Sequence, residues 1–202
     1  KFDINNSFEI EKRFNNFFLK NGIPDVMINC SYPKSKNWDE LSFDNYEMNT
    51  INQNIDHHLK SFLNYTFFFA NFMRQKKIKG SIINLSSIYG LKGQKTELYK
   101  NRKTNPIYPS IKSSIIGSAR QFASFYGKYE IRINTVCPGG IILNHNKNKI
   151  DTNFLKNYLK LNPIKRMCKP EDVTNAIIFL SSDISSYITG TSLVIDGGWT
   201  SV

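Results

Sequence analysis

The chain has 202 residues, of which 40% are hydrophobic and 13% aromatic, enough apolar material for one compact core. Its formal net charge is +11, but the lysines are scattered rather than gathered into a basic stripe, so specific nucleic-acid binding is not expected. The most apolar stretch, residues 61–73, is too short to span a bilayer and contains Asn64 and Asn71, which argues against a membrane protein.

The N-terminal half predicts two helices and one strand. Asn6 and Ser7 precede FEIEKRFNNFFLKNG, an amphipathic segment that predicts a capped helix ending at Gly22. DVMIN (25–29) follows as a short buried strand. Ser42 and Asp44 are expected to open a long helical region, whose basic end, RQKKIKG, suits the negative end of a helix dipole.

The C-terminal half continues the alternation. SIINLSS (81–87) predicts a strand, and the polar residues 88–106 predict a loop that lies over the site. The remaining predicted elements are a helix over 108–127, the strand IRINTVC (131–137), a helix near 151–161, a helix from Pro170 and the strand SLVID (192–196). Continuously apolar strands alternating with helices indicate a parallel sheet covered on both faces, so residues 1–202 are expected to form a single α/β domain with a doubly wound, Rossmann-type sheet.

The cysteines give a hint about the compartment. Cys30, Cys137 and Cys168 are far apart, odd in number and without metal-ligand spacing. A reduced, cytoplasmic protein with structural cysteines and no metal is therefore the expectation.

Small polar groups follow three of the predicted strands. Asn29 ends one strand, Ser86 and Ser87 end the next, and Cys137 begins a CPGG segment at the end of a third. Ligands of doubly wound sheets bind outside the carboxyl ends of the strands. These residues therefore predict a binding site at one edge of the sheet.

Tyr108 and Lys112 enter this edge at the start of a helix. Residues four apart are neighbours on a helix, so the ammonium can lie beside the phenol, and a nearby positive charge favours the phenolate and lowers its pKa. Such a tyrosine could exchange a proton with an oxygen on carbon, while Ser87 hydrogen-bonds the same oxygen. On an ordinary helix, however, the same spacing only lets a lysine lie along a ring, and a serine pair at a strand end is a common cap.

The order of the motifs resembles the short-chain dehydrogenase/reductase family from Asp3 to the C-terminus. The matching segments are DVMIN (25–29), GSIINLSS (80–87), YPSIK (108–112), RINTVCPGG (132–140), PIKRMCKPEDV (163–173) and YITGTSLVIDGGW (187–199). This resemblance implies an oxidoreductase that moves a hydride between NAD or NADP and an alcohol or ketone.

The resemblance also implies a role for each matching residue. Tyr108 is the expected acid/base, Lys112 the residue that lowers its pKa and holds the nicotinamide ribose, and Ser87 the group that positions the substrate oxygen. Tyr108 is also an expected cofactor contact, as are Asp3 at the adenine ring and Asn29 on the adenosine side. The backbone of Pro138, Gly139 and Ile141 is expected at the nicotinamide carboxamide.

Four positions depart from the family pattern. Tyr32 takes the place of a glycine after the strand that ends at Asn29, which predicts crowding near the cofactor. His58 aligns with a catalytic asparagine and could serve the same proton relay or only pack between helices. Ser87 and Tyr108 are 21 residues apart, which indicates an insertion in the loop, and Leu143 stands near the position of a threonine that touches the cofactor phosphate.

A fifth departure concerns the family's Gly-rich turn, which receives the pyrophosphate and would precede Lys1. The expectation is that the sequence is part of a longer protein and lacks the first βαβ portion of the domain. The alternative is a remnant with intact catalytic residues and poor cofactor affinity.

The segment SSIYG (86–90), the long loop and PGGI resemble a bacterial branch associated with flagellin and surface-glycan modification, which implies a sugar-like substrate. Family members usually form dimers or tetramers through their two long helices and C-terminal strand, so a homo-oligomer is expected. The competing hypothesis is a non-catalytic scaffold or truncated paralogue that no longer binds a dinucleotide.

Overall fold

Strands and helices follow one another along the chain in the predicted order. The computed structural model describes residues 9–99, 103–143 and 151–202. The strands in these ranges are β1 (Val26–Asn29), β2 (Gly80–Leu85), β3 (Ile131–Pro138) and β4 (Ser192–Ile195). The α-helices are α1 (Ile10–Asn21), α2 (Met48–Asn54), α3 (Lys60–Gln75), α4 (Tyr108–Tyr126), α5 (Thr152–Lys160) and α6 (Pro170–Ser181).

The strands of the described residues form one parallel sheet in the order β1-β2-β3-β4. In its register Asn29 pairs with Asn84, and Pro138 pairs with Ile195. The carboxyl ends of neighbouring strands therefore meet at one edge, where the polar residues after β1, β2 and β3 are expected. This arrangement confirms the predicted α/β fold with a Rossmann-type parallel sheet.

Both faces of the sheet are covered by helices. On one face, Phe14 of α1, Phe69 of α3 and Ala119 of α4 belong to a buried cluster with Ile82 and Ile133 of the sheet. The opposite face belongs to α6, where Val173 and Leu180 pack in a second cluster with Ile83 and Val136. Because successive strand residues face opposite helix layers, both must be apolar, and this is why the strands are continuously hydrophobic in sequence.

The long helical region begins later than the sequence predicts. Ser42 and Asn45 exchange backbone hydrogen bonds of 3.2 Å, and the Ser42 hydroxyl also accepts from the Asn45 amide, so these groups close a turn instead of capping a helix. The first helical residue is Met48. The predicted opening at Ser42 and Asp44 is therefore wrong, whereas the predicted caps Asn6 and Ser7 lie outside the described residues.

A π-helical turn, Ile55–Leu59, joins α2 to α3 and places His58 on the buried side. Turns of this kind are rare and frequently occur at functional sites. Within the described ranges, none of the helices combines the length and the apolar character that crossing a bilayer requires.

Candidate active site

The start of α4 is held in place by Asn105. Its side-chain oxygen accepts from the amides of Ile107 at 3.1 Å and Tyr108 at 3.3 Å, and its side-chain nitrogen donates to the Trp38 carbonyl at 3.1 Å. The first amides of a helix lack partners within the helix, so this asparagine completes the turn on which Tyr108 stands.

The end of β2 is tied to the same helix. The Ser86 hydroxyl donates to the Lys112 carbonyl at 2.8 Å. Gly90 lies so close to α4 that a Cβ atom would come within 2.9 Å of the Lys112 carbonyl group, so only glycine fits there. These contacts fix Ser87 in front of α4, where its side chain hydrogen-bonds Tyr108.

Lys112 is the buried cation of the site, with 4% of its surface exposed. Its Nζ donates to the Leu85 carbonyl at 3.2 Å and lies 3.4 Å from Nε2 of His58. The rings of Tyr32, Phe62 and Tyr108 lie 5.4–5.8 Å from the same nitrogen. Burial, which disfavours the charged form, lowers the pKa of Lys112 to about 8.

The ionisation of Tyr108 differs from the sequence expectation. Burial raises the pKa of the Tyr108 hydroxyl, and the hydrogen bond with Ser87 lowers it by a smaller amount. The expected net lowering of the Tyr108 pKa is therefore wrong for this arrangement, in which burial is the largest cause and the Lys112 nitrogen lies 5.8 Å from the ring centroid. Tyr108 is protonated at neutral pH, which suits a proton donor.

His58 is fully buried and faces Lys112. Burial first, and the Lys112 charge second, lower the pKa of His58 to about 3. The imidazole is therefore neutral at physiological pH, and Nε2 can accept a hydrogen bond from Nζ when the ring proton is on Nδ1. Nδ1 itself is buried without a hydrogen-bond partner among the described residues. The structure thus brings together Ser87, Tyr108, Lys112 and His58, the four predicted catalytic side chains.

Asn29 lies at the end of β1 with an unused donor. Its side-chain oxygen accepts from the Ser31 amide at 3.2 Å and the Ser31 hydroxyl at 2.6 Å. Its side-chain nitrogen is buried and has no partner within the described ranges. Leaving a buried donor unpaired costs about 1–3 kcal/mol, so this nitrogen is a natural contact for an acceptor on a ligand.

The end of β3 presents backbone rather than side chains. The Gly139 amide donates to the Ile195 carbonyl at 2.9 Å, and the Gly140 amide donates to the Tyr158 hydroxyl at 2.6 Å. A Cβ atom on Gly140 would come within 2.5 Å of the Met167 side chain. Together with Ile141, these glycines line the cavity that contains Tyr108.

Tyr32, the position at which crowding near the cofactor is predicted, packs against three neighbouring rings. Its ring stands edge-on to His58 at a centroid distance of 4.9 Å, to Trp38 at 5.9 Å and to Tyr108 at 6.1 Å. It lines the same cavity and lies 5.5 Å from the Lys112 ammonium. The Tyr32 ring therefore covers one side of Lys112.

The comparisons with known proteins agree with this geometry. A family model described as enoyl-(acyl carrier protein) reductase matches residues 1–200. The post-translational flagellin modification protein A of Campylobacter coli is 32% identical over 201 residues, which are 98% of this chain and 76% of that protein. The chain belongs to the short-chain dehydrogenase/reductase family.

Other relatives extend the range of activities in the family. A 3-oxoacyl-[acyl-carrier-protein] reductase of Chlamydia trachomatis is 39% identical over 123 residues, 61% of this chain and 46% of that protein, so the match spans less than half of its length. A short chain dehydrogenase from Leptospira borgpetersenii was solved with bound NAD+, and its structure matches this chain with a TM-score of 0.87 at 31% sequence identity. The match covers 98% of this chain and 74% of that protein.

The described residues fit a nicotinamide dinucleotide on two observations. The Asn29 side-chain nitrogen is a buried donor without a partner among the described residues, and the segment from Gly139 to Ile141 lines the cavity that contains Tyr108. Residues that could hold the cofactor are therefore Asn29, Lys112 and the segment from Pro138 to Ile141. The predicted contact Asp3 lies outside the described residues.

Sequence reasoning missed the aromatic lining of the cavity, whose volume is about 700 Å³. Tyr89, Tyr99, Phe154 and Tyr158 line it above the predicted catalytic residues. The two strongest hints are the count of ten tyrosines in 202 residues and the long loop at 88–106, which carries two of these rings.

Proposed function

We propose that the protein is an NAD(P)-dependent oxidoreductase that interconverts an alcohol and a ketone, with Tyr108 as the acid/base. The observation that carries this proposal is that Ser87 and Tyr108 line one cavity and that the buried Nζ of Lys112 lies 5.8 Å from the Tyr108 ring centroid. The nicotinamide, when bound, supplies or accepts the hydride. Asn29, Lys112 and the backbone of Pro138, Gly139 and Ile141 would hold it, together with Asp3 as the family resemblance implies.

In this proposal the chain's own residues manage one proton. Ser87 hydrogen-bonds the substrate oxygen and aligns it with the Tyr108 hydroxyl, which donates its proton as a ketone is reduced. The raised pKa of Tyr108 keeps that proton in place until the substrate oxygen becomes basic. Lys112 stabilises the phenolate left behind, which takes up a proton from solvent before the next turnover, and neutral His58 holds the Lys112 ammonium by accepting its hydrogen bond at Nε2.

The proposed substrate is sugar-like. Two relatives are named for a polyol or a sugar, a D-arabinitol 2-dehydrogenase of Candida tropicalis and an L-rhamnose 1-dehydrogenase of a Sphingomonas strain. The flagellin modification protein matches the branch that the segments SSIYG and PGGI resemble. Aromatic rings beside polar groups, as in this cavity, suit a molecule that has both apolar faces and hydroxyl groups.

We also propose a homodimer or homotetramer. Phe67 of α3 and Phe125 of α4 each expose 46% of their surface on the two long helices, an arrangement that suits burial against a second copy. Size-exclusion chromatography with light scattering would measure the mass. A monomer at micromolar concentration would contradict this part of the proposal.

The test of the activity is a titration of the protein with NADH and NADPH, followed by nicotinamide fluorescence, and then a turnover assay. Saturable binding and oxidation of the bound cofactor by a ketone are expected. The Tyr108→Phe variant should bind the cofactor with unchanged affinity but lose about 100-fold or more in kcat. No binding at millimolar cofactor would favour the non-catalytic scaffold, and undiminished turnover by the variant would exclude Tyr108 as the acid/base.

A further inference from the structure

A tyrosine hydroxyl of α5 lies against the backbone turn at the end of β3. The hydroxyl oxygen of Tyr158 accepts a hydrogen bond from the Gly140 amide at 2.6 Å. A Cβ atom on Gly139 would lie 3.1 Å from that oxygen and one on Gly140 would lie 3.2 Å from it, so the phenol packs directly on both glycines. All three residues line the cavity that contains Ser87 and Tyr108. Tyr158 therefore belongs to the wall of the site, although it lies outside the segments that match the family motifs.

Packing fixes the position of this phenol. Tyr158 is 2% exposed, and its ring stacks on that of Trp199 at a centroid distance of 5.9 Å and an interplanar angle of 20°. The ring of Phe154, one turn earlier on α5, lies 5.8 Å away. The hydroxyl oxygen is therefore held at one place in the wall of the cavity.

The hydroxyl of Tyr158 has a proton to donate. A phenol is both a donor and an acceptor, and the bond from Gly140 uses only the acceptor capacity of its oxygen. Within the described ranges, no residue accepts the proton of this hydroxyl. Burial raises the pKa of Tyr158 to about 12, so the proton stays on the oxygen at neutral pH. A buried donor without an acceptor is unfavourable, and an acceptor on a bound ligand would satisfy it.

The surroundings of the hydroxyl favour an uncharged oxygen as that acceptor. Its neighbours are the backbone of Gly139 and Gly140 and the rings of Phe154 and Trp199, and an anion would be poorly solvated among them. The charge of Asp196 acts on the same hydroxyl and also disfavours an anionic ligand. The carboxamide oxygen of a nicotinamide has the required chemistry, and the proposed function assigns the nicotinamide to this turn.

We propose that the Tyr158 hydroxyl donates a hydrogen bond to the carboxamide oxygen of the nicotinamide and so helps to hold the ring at the turn that follows β3. This inference rests on the proposed function, which assigns a nicotinamide cofactor to the cavity. The Gly140 amide fixes the phenol oxygen, and the phenol proton recognises the ligand. Tyr158 takes no part in the proton transfer at Tyr108.

Equilibrium binding of three forms of the cofactor tests this contact. The ligands are NAD+, its thionicotinamide analogue, in which sulfur replaces the carboxamide oxygen, and its 3-acetylpyridine analogue, which keeps a carbonyl oxygen there; the NADP+ series replaces them if NADP+ binds more tightly. Quenching of tryptophan emission reports binding without turnover, because Trp38 lines the cavity and Trp199 stacks on Tyr158. The parent protein should bind the sulfur analogue about three- to tenfold more weakly than NAD+ and the acetylpyridine analogue within about twofold of NAD+.

Tyr158→Phe removes the donor. The variant should bind NAD+ about three- to tenfold more weakly than the parent does, and its dissociation constants for NAD+ and the sulfur analogue should agree within about twofold. A purely structural role would weaken both ligands alike, because the Gly140 amide loses its acceptor whichever ligand is bound. Tyr126→Phe, the same change on a buried ring of the core, should leave all three constants near those of the parent.

The outcomes separate this inference from the proposed function. Equal binding of NAD+ and the sulfur analogue by the parent would overturn the contact, and this comparison holds even if Tyr158→Phe does not fold. A preference for NAD+ that persists unchanged in Tyr158→Phe would also overturn the contact, while the proposed function would stand. No saturable quenching by either NAD+ or NADP+ would overturn the proposed function itself, and the contact with it.

Discussion

The two sides of Lys112 differ in how their polar groups are used. On the β2 and α4 side, the hydroxyls of Ser86 and Ser87 are both engaged, with the Lys112 carbonyl and with Tyr108 respectively. On the β1 and π-turn side, Asn29 and His58 each keep a buried side-chain nitrogen without a partner among the described residues. The first side is built for rigidity, whereas the second keeps capacity that a ligand can use.

The largest expected loss of activity comes from replacing Lys112, whose ammonium lies between the two sides. Lys112→Met should lower kcat by about 100-fold or more, because the Tyr108 phenolate loses its counter-charge. The thermal midpoint should stay the same or rise, since an apolar chain of similar length replaces a buried ammonium. Steady-state kinetics and a melting curve measure both quantities.

Lys103→Met is the matched control for that substitution. Lys103 is an exposed lysine that lines the same cavity, and its replacement should leave kcat nearly unchanged. Equal losses in the two variants would mean that the cavity needs positive charge in general rather than the buried ammonium.

The next effect is a pH dependence of stability caused by His58. The pKa of His58 is lowered from 6.5 to about 3 in the folded chain. As the pH falls below 6.5, the imidazole therefore binds a proton in the unfolded chain but not in the folded chain. The contribution of neutral His58 to the free energy of unfolding is therefore complete above pH 6.5. It is lost as the pH falls toward 3, by at most about 1.4 kcal/mol per pH unit.

Urea unfolding at several pH values measures this slope. His58→Asn should lose stability less steeply in acid than the parent chain, and His57→Asn, at the neighbouring, partly exposed position, should behave as the parent does. If His58→Asn and the parent show parallel slopes, the imidazole is not held neutral by burial.

A smaller effect is expected at the unused donor of β1. Asn29→Ala should weaken NADH binding by about three- to tenfold, the usual contribution of one hydrogen bond to a neutral group. Ser31→Ala removes the hydroxyl bond to the Asn29 oxygen but keeps the backbone amide bond and the Asn29 nitrogen, so the affinity of this variant for NADH should stay within about twofold of the parent. Nicotinamide fluorescence titrations give both constants, and a parallel loss in the serine variant would assign the effect to the turn instead.

The smallest expected effect concerns Tyr32. Tyr32→Gly should bind NADH about threefold more tightly, because removing the ring opens one side of Lys112 and restores hydration of the ammonium. Tyr32→Phe keeps the ring and should match the parent. Weaker binding by the glycine variant would instead identify the ring as part of the binding surface.

The sequence by itself determined the parallel sheet and the groups at its edge. Continuous runs of apolar residues and helix signals such as Gly22 and Pro170 are local patterns. The strands β1 to β4 and the helices α4 to α6 can therefore be predicted from them. Ser87, Tyr108 and Lys112 stand at strand and helix ends, and the parallel order of the sheet brings such ends together. The start of α2 at Met48 does not follow from the sequence, because a serine such as Ser42 can close a turn as readily as it can cap a helix.

Only the tertiary structure decided the ionisation states and the lining of the cavity. The raised pKa of Tyr108 and the lowered pKa of His58 result from desolvation by residues that are distant in sequence. A short sequence motif does not specify how much of a side chain those residues bury. The hydrogen bond between Tyr89 and Tyr99 depends likewise on how the loop packs against α5 and the C-terminal segment. Sequence spacing fixes which residues lie near the end of a strand, whereas burial and side-chain pairing depend on all the elements that pack around it.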